Sequence, residues 1–310
     1  MRLDDLPVNV NAEDQGRGGG FGLGGGSGLG GGGGLGGGLG LIIGLIASRF
    51  GIVGVLVVLG IGWALGMFGG GGQSLVSPGQ PAAVGGPGVE ATGAAACQRS
   101  EQQMHSCRVL YSTNQTWSAL FAQAGQRYRE PKISFYQQGG RSGCGAAQSA
   151  MGPFYCPLDQ GIYIDTTFFD ELATKFGAGG DFAANYVIAH EVGHHVQTLT
   201  GVSDQVRQAQ ARLGRAQGNR YQVAMELQAD CYAGVWAARN ADRLDPGDVQ
   251  EGLRAAQAIG DDTLQKQAQG YVVPESFTHG TSAQRQQWLN VGLRTGDPGQ
   301  CDTFGAMGLA

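Results

Sequence analysis

From about residue 97 onward, apolar positions recur at helical spacing, interrupted by short runs of strand type. Residues 116–129 (TWSALFAQAGQRYR) put Trp117, Leu120 and Phe121 on one side, which predicts a helix. Residues 132–136 (KISFY) and 161–165 (GIYID) read as strands, separated by a glycine-rich loop at 139–146, and 167–176 (TFFDELATKF) reads as a helix. Asp181 is placed to cap a helix that runs to Thr200, with Gly201 at the position just past its end. Asn219 is expected to cap a helix to about Arg239. Asp245-Pro246 opens another that ends at Gly260. Thr281-Ser-Ala-Gln284 is a capping box opening a last helix that stops at Gly296. The expected fold class is mainly α with a few short strands (α+β).

The front of the chain has a different pattern. Residues 1–15 are polar without periodicity, and residues 41–68 are almost wholly apolar. Phe50 to Phe68 is a run of 19 residues without a charge; at 1.5 Å rise it covers about 28 Å, close to the ~30 Å hydrocarbon core of a bilayer. Composition sharpens the division. Of 58 glycines, 32 fall in residues 1–90, and 18 of those lie in 16–40. So few side chains cannot offset the entropy of ordering, and no Gly-Lys-Ser/Thr closes a phosphate loop. The predicted layout is a disordered glycine-rich tail at 1–40, a transmembrane helix at 41–68 and a Gly/Pro/Ala linker at 69–96. A single domain at 97–304 and a short tail at 305–310 follow.

Arg2, Arg17 and Arg49 precede the apolar run, and no Lys or Arg occurs from residue 50 to 98. The positive-inside rule then places the N-terminus in the cytoplasm and the domain outside, as a single-pass membrane protein. The net charge of −5 holds no basic block, so a nucleic-acid partner has no electrostatic support. Cys97, Cys107, Cys144, Cys156, Cys231 and Cys301 all fall on the predicted outer side. They are disulfide candidates with 15 possible connectivities.

Three of the five histidines crowd into His190-Glu191-Val192-Gly193-His194-His195, which contains H-E-x-x-H. Residues i and i+4 share a helix face, so His190 and His194 can bind one Zn²⁺. Glu191 lies beside the metal, where it can act as general base toward a water that the metal activates. A catalytic zinc usually takes a third protein ligand. Gln197 and Thr200 stand where a metzincin needs glycine and histidine, so that class is excluded. The expected third ligand is Glu226, in an apolar stretch 32 residues past His194. Asp230, one turn later, is expected to orient a ligand histidine. His195 points away from His194 around the helix and is expected in a structural or supporting role, and His105 on the surface or in the core. His279, just before the last helix, and Arg285 within it are candidate stabilisers of a developing oxyanion. Residues 161–165 are a candidate edge strand for pairing with an extended peptide.

These residues resemble the neutral zinc metallopeptidases, a bacterial membrane-anchored family. The resemblance covers about residues 97–304 and the layout of one apolar span ahead of them. It is carried by Gly152-Pro-Phe-Tyr-Cys-Pro, Val187-Ile-Ala-His-Glu-Val-Gly-His-His195, Glu226-Leu-Gln-Ala-Asp-Cys-Tyr-Ala-Gly-Val-Trp236 and Glu275-Ser-Phe-Thr-His-Gly-Thr-Ser-Ala-Gln-Arg285. It implies a zincin-like domain with one Zn²⁺ and hydrolysis of a peptide or protein substrate in the cell envelope. The order HExxH, Glu-x-x-x-Asp and a late His…Arg is also similar to membrane zinc peptidases of the prenyl-protease and heat-shock type, where the late histidine and arginine lie near the substrate. Gly280 stands where those relatives usually have proline. A non-catalytic zinc scaffold and a cell-wall amidase are the alternative functions.

Overall fold

The computed structural model describes residues 1–17, 89–177 and 179–309. Among them, seven strands form one mixed sheet. These are β1 (Ala12–Arg17), β2 (Ala91–Thr92), β3 (Lys132–Gln137), β4 (Gly139–Ser142), β5 (Gly145–Gln148), β6 (Phe154–Cys156) and β7 (Gly161–Asp165). The main path runs β2-β1-β3-β7-β6, and the β4–β5 hairpin folds back from the end of β3. β1, β3 and β7 are parallel and central; β2 and β6 are antiparallel to their neighbours. Ile133, Phe135, Ile162 and Ile164 are fully or almost fully buried, as expected of strands with neighbours on both sides.

The helices are α1 (Ala94–Cys97), α2 (Glu101–Gln123), α3 (Phe168–Phe176), α4 (Asp181–Leu199), α5 (Val202–Arg212), α6 (Arg215–Arg239), α7 (Asp248–Ala258), α8 (Asp261–Gln269), α9 (Ser282–Thr295) and α10 (Thr303–Ala306). The expected α+β class is what the structure has. α4 packs against α2, α6 and α7, and α6 packs against α9. Buried residues occur all round α4, which is therefore a core helix whose polar side chains need partners. Gly193 lets α4 approach α6: a Cβ there would lie 3.0 Å from Ala229 Cα. Gly292 does the same between α9 and α6, since a Cβ would lie 2.0 Å from the Cys231 carbonyl oxygen.

Several expected boundaries are corrected. α2 begins at Glu101 rather than near 116, because buried Gln103, Ser112 and Asn114 find tertiary partners in Asp14, Trp236 and Tyr128. α6 begins at Arg215 rather than Asn219, and α5 was not anticipated. Gly260 caps the start of α8, so the helix expected to end there is followed at once by another. The capping box at Thr281–Gln284 and the left-handed Gly296 are as expected.

The front of the chain brings the larger correction. Residues 1–17 are not a disordered tail: Met1, Leu3, Val10 and Ala12 lie in the main core, and β1 is an internal strand. The end of the expected linker folds too, as β2 and α1. At the C-terminus α10 continues the domain past 304, and Arg220 bonds the Met307 carbonyl. The span expected at 41–68 lies outside the described residues, as does most of the glycine-rich stretch. Among the described residues, no helix is long and apolar enough to cross a membrane. The six cysteines pair as Cys97–Cys107, Cys144–Cys156 and Cys231–Cys301. The last bridge ties α6 to the segment before α10.

Candidate active site

The HExxH residues lie midway along α4, facing α6. His190 Nε2 is 3.2 Å from Glu226 Oε2, and His194 Nε2 is 3.4 Å from the same oxygen. All three donor atoms fall within 4.8 Å of one another. Zn–ligand distances of about 2.0–2.2 Å in a tetrahedral site separate donors by roughly 3.3–3.5 Å, and both histidine–glutamate separations match this. The donor set, two imidazoles and one carboxylate, is also of the kind that catalytic zinc takes.

The other face of each ligand is held. His190 Nδ1 lies 2.8 Å from Asp230 Oδ1, and His194 Nδ1 lies 2.9 Å from Gln197 Oε1. Both acceptors require the hydrogen on Nδ1, which leaves each Nε2 lone pair for the metal. Gln197 is in turn fixed by donating to the Met225 carbonyl and to Gln228. Gln222 donates to Glu226 Oε1, leaving Oε2 for the triad. Glu226 is buried; burial alone would raise its carboxyl, but the charge of His194 and the bonds from both histidines hold it well below the usual range. Burial opposes charge on His190 as well, yet the Asp230 carboxylate outweighs it and pushes the imidazole up to about 10. The pocket thus favours a cation bound between histidines and carboxylate.

Asp230 is the hub behind the triad. Tyr186 donates to its Oδ1 at 2.6 Å, and Arg285 grips both oxygens at 2.9 Å. Burial would raise Asp230, but Arg285 and His190 dominate and hold it at about 2. Arg285, 3 % exposed, also donates to the Ile259 carbonyl and to Tyr186. Its guanidinium is committed to Asp230, although Arg285, a candidate oxyanion stabiliser from the sequence, also reaches the cavity wall. It positions Asp230, which positions His190.

Glu191 is 6 % exposed and lies at the wall of a cavity of about 530 Å³. Burial pushes its carboxyl upward, making the carboxylate a stronger base. His279 lines the same cavity, with Nδ1 bonded to Asp261 Oδ1 at 3.2 Å. Asp261 Oδ2 accepts from the backbone of Thr278, His279 and Gly280, which fixes the whole turn. Met151, Phe168, Val187, Val206, Ile259 and Leu264 supply apolar wall.

His195 touches none of the triad. Its Nε2 lies 2.6 Å from the Arg129 carbonyl and its Nδ1 lies 3.1 Å from the Tyr155 hydroxyl. The carbonyl requires hydrogen on Nε2, so Tyr155 is the donor to Nδ1. Burial holds His195 down to about 4, hence neutral. Of the two roles expected of it, structural or supporting the ligands, His195 has the structural one, a tie between α4 and β6. The candidate edge strand is corrected. β7 (161–165) is paired on both sides, whereas β6 pairs only with β7 among the described strands. Phe154 and Tyr155 of β6 line the cavity.

Sequence reasoning missed Asp261, Gln197, Tyr186 and Tyr155. Tyr155 stood in the family motif Gly152-Pro-Phe-Tyr-Cys-Pro, and Gln197 at the position where a metzincin glycine is absent. Neither signal states a partner.

The family model for "Putative neutral zinc metallopeptidase" matches residues 1–304. The chain belongs to this family. Among relatives, a protein of Escherichia coli K12 named "Uncharacterized protein YpfJ" is 55% identical over 199 residues, covering 64% of this chain and 69% of that one. "Uncharacterized protein Rv2575" of Mycobacterium tuberculosis is 45% identical over 217 residues, covering 66% of this chain and 72% of its own. No solved structure matches the chain. The family match begins at residue 1, so residues 1–17 belong to the shared pattern along with the site itself.

Proposed function

We propose that this member of the family is a zinc-dependent endopeptidase with one catalytic Zn²⁺ held by His190, His194 and Glu226. The observation that carries the reading is the convergence of their three donor atoms within 4.8 Å of one another, with Glu191 beside them at the wall of an open cavity. Among the described residues no fourth donor joins the triad, which supports a catalytic rather than a closed structural site. Bound zinc would supply Lewis acidity, lowering the pKa of water and polarising a carbonyl.

The chain's own residues supply the rest. Glu191 takes a proton from the attacking water and delivers it to the departing amine nitrogen. His279, held by Asp261, donates to the carbonyl oxygen as negative charge develops there. Asp230 and Gln197 keep the ligand histidines in the Nδ1–H tautomer. An extended peptide is accommodated along the open side of β6, with an apolar side chain against the Met151, Phe168 and Leu264 wall. The three disulfides support an oxidising location outside the cytoplasm, and the apolar run at 41–68 supports attachment to the membrane.

The test is Glu191→Gln in the full chain. Zinc content should be unchanged, and peptide cleavage should fall by about 10²–10⁴-fold, the usual contribution of a general base. Wild-type and variant proteins would be compared on extracted envelope proteins, scoring new N-termini. Equal cleavage by the two would overturn the mechanism, and absence of new termini with zinc-loaded wild type would favour the scaffold.

A further inference from the structure

The N-terminal segment is part of the architecture on which the zinc helix rests. Met1, Leu3, Val10 and Ala12 are at most 6 % exposed and belong to the same core as Tyr186, Ile188 and Val192 of α4. β1 lies between β2 and β3, with Ala12, Glu13 and Asp14 in register with Ile133, Ser134 and Phe135. The buried polar groups of β1 are matched as well. Asp14 accepts from Gln103, and Gln15 donates to Ser134 and to the Arg141 carbonyl while accepting from the Arg141 amide. Arg2, one of the three arginines behind the predicted orientation, is an ion-pair partner of Asp245 in the domain.

The chain leaves and returns at one place. It departs at the end of β1 and comes back through Glu90 into β2, whose residues Ala91 and Thr92 pair with Asp14 and Glu13. The Glu90 amide donates to the Asp14 carbonyl and the Gly93 amide to the Ala12 carbonyl. Paired strands are about 4.8 Å apart, whereas the hydrocarbon core of a bilayer is ~30 Å thick. A membrane cannot pass between β1 and either neighbour.

We infer that residues 1–17 and the catalytic domain occupy the same side of the membrane. A single crossing would put β1 and β3 in different compartments. The arrangement predicted from the arginines, with the N-terminus inside and the domain outside, is incompatible with the sheet. The inference does not depend on the peptidase reading, since it rests on strand pairing alone.

The test is cysteine accessibility in the full chain, produced in bacterial cells. All six native cysteines are in disulfides, which leaves no competing thiol. Asn9→Cys reports on the N-terminal segment and Leu158→Cys on the domain; both positions are exposed. Asp4→Cys, at a side chain 92% exposed, is a second N-terminal reporter should Asn9→Cys accumulate poorly. Spheroplasts are treated with a membrane-impermeant maleimide, and labelling is normalised to lysed, denatured samples. The expected result is equal labelling at both ends, a ratio near one, whether both react or both are protected. Reaction at one end with protection at the other would overturn the inference, even if the protein proves to be an active peptidase.

Discussion

Asp261 Oδ1 lies 3.2 Å from His279 Nδ1, and the same carboxylate secures the backbone of residues 278–280. An aspartate on α8 thereby aims the far nitrogen of a loop histidine into the zinc cavity. Burial opposes charge on His279, but the bond from Asp261 and the charges of Glu226 and Asp261 outweigh it, so its pKa is raised. As a donor to the oxyanion His279 acts in its protonated form. Activity should accordingly fall as pH rises through that raised pKa. Asp261→Asn keeps an acceptor for the backbone but removes the charge. Its alkaline limb should move to lower pH in a kcat/KM profile, while zinc content stays constant. An unmoved limb would remove His279 from the chemistry.

Asp230→Asn should weaken zinc binding by about 10–100-fold, the usual effect of losing a partner that orients a ligand histidine. Tyr186→Phe removes one bond to Asp230 but leaves both the Asp230–His190 bond and the Arg285 grip, so its effect should be much smaller. Competition with a chromogenic chelator measures both. Equal losses in the two variants would show that Asp230 acts only through general packing.

Tyr155→Phe removes the donor to His195 and frees β6 from α4 on one side. The loss of one buried hydrogen bond is worth about 1 kcal/mol, roughly fivefold in an equilibrium. The change should appear mainly in KM for extended peptides, with kcat and zinc content nearly unchanged. A fall in kcat at constant KM would instead place the Tyr155 hydroxyl in contact with the reacting atoms.

Gly193→Val places a branched side chain against the Ala229 backbone, where even a Cβ would lie 3.0 Å from Cα. Overpacking of this kind costs about 1–3 kcal/mol, and pushing α4 from α6 also separates His190 and His194 from Glu226. Both the thermal midpoint and zinc affinity should drop together. A fall in Tm with zinc affinity intact would show that the triad tolerates helix separation.

The cluster of His190, His194 and Glu226 was legible in the sequence, the histidine pair from a spacing that belongs to one helix and Glu226 from its apolar surroundings on another. His190 and His194 must share a face at i and i+4, and Glu226 sits in an apolar stretch where an unpaired carboxylate would be costly. Asp230 was readable for the same reason, one turn from Glu226. The strands at 132–137 and 161–165 and the capping box at Thr281 were likewise local patterns. Positions whose role depends on a distant partner were not readable. Arg285 looked free to meet substrate until α9 placed it on Asp230, and the structural role of His195 had no visible partner until β6 brought Tyr155 to it.

The N-terminus shows the limit most clearly. By itself the sequence determined the family, the mainly helical class and the abrupt change of composition near residue 90. Residues 1–15 carry no periodicity of their own, so nothing local separates a solvated tail from a strand. Only the tertiary structure decided that Ala12–Arg17 lies between β2 and β3, because the hydrogen bonds and burial that stabilise it come from residues more than seventy positions away. The same long-range contacts fixed the disulfide connectivity and the edge strand.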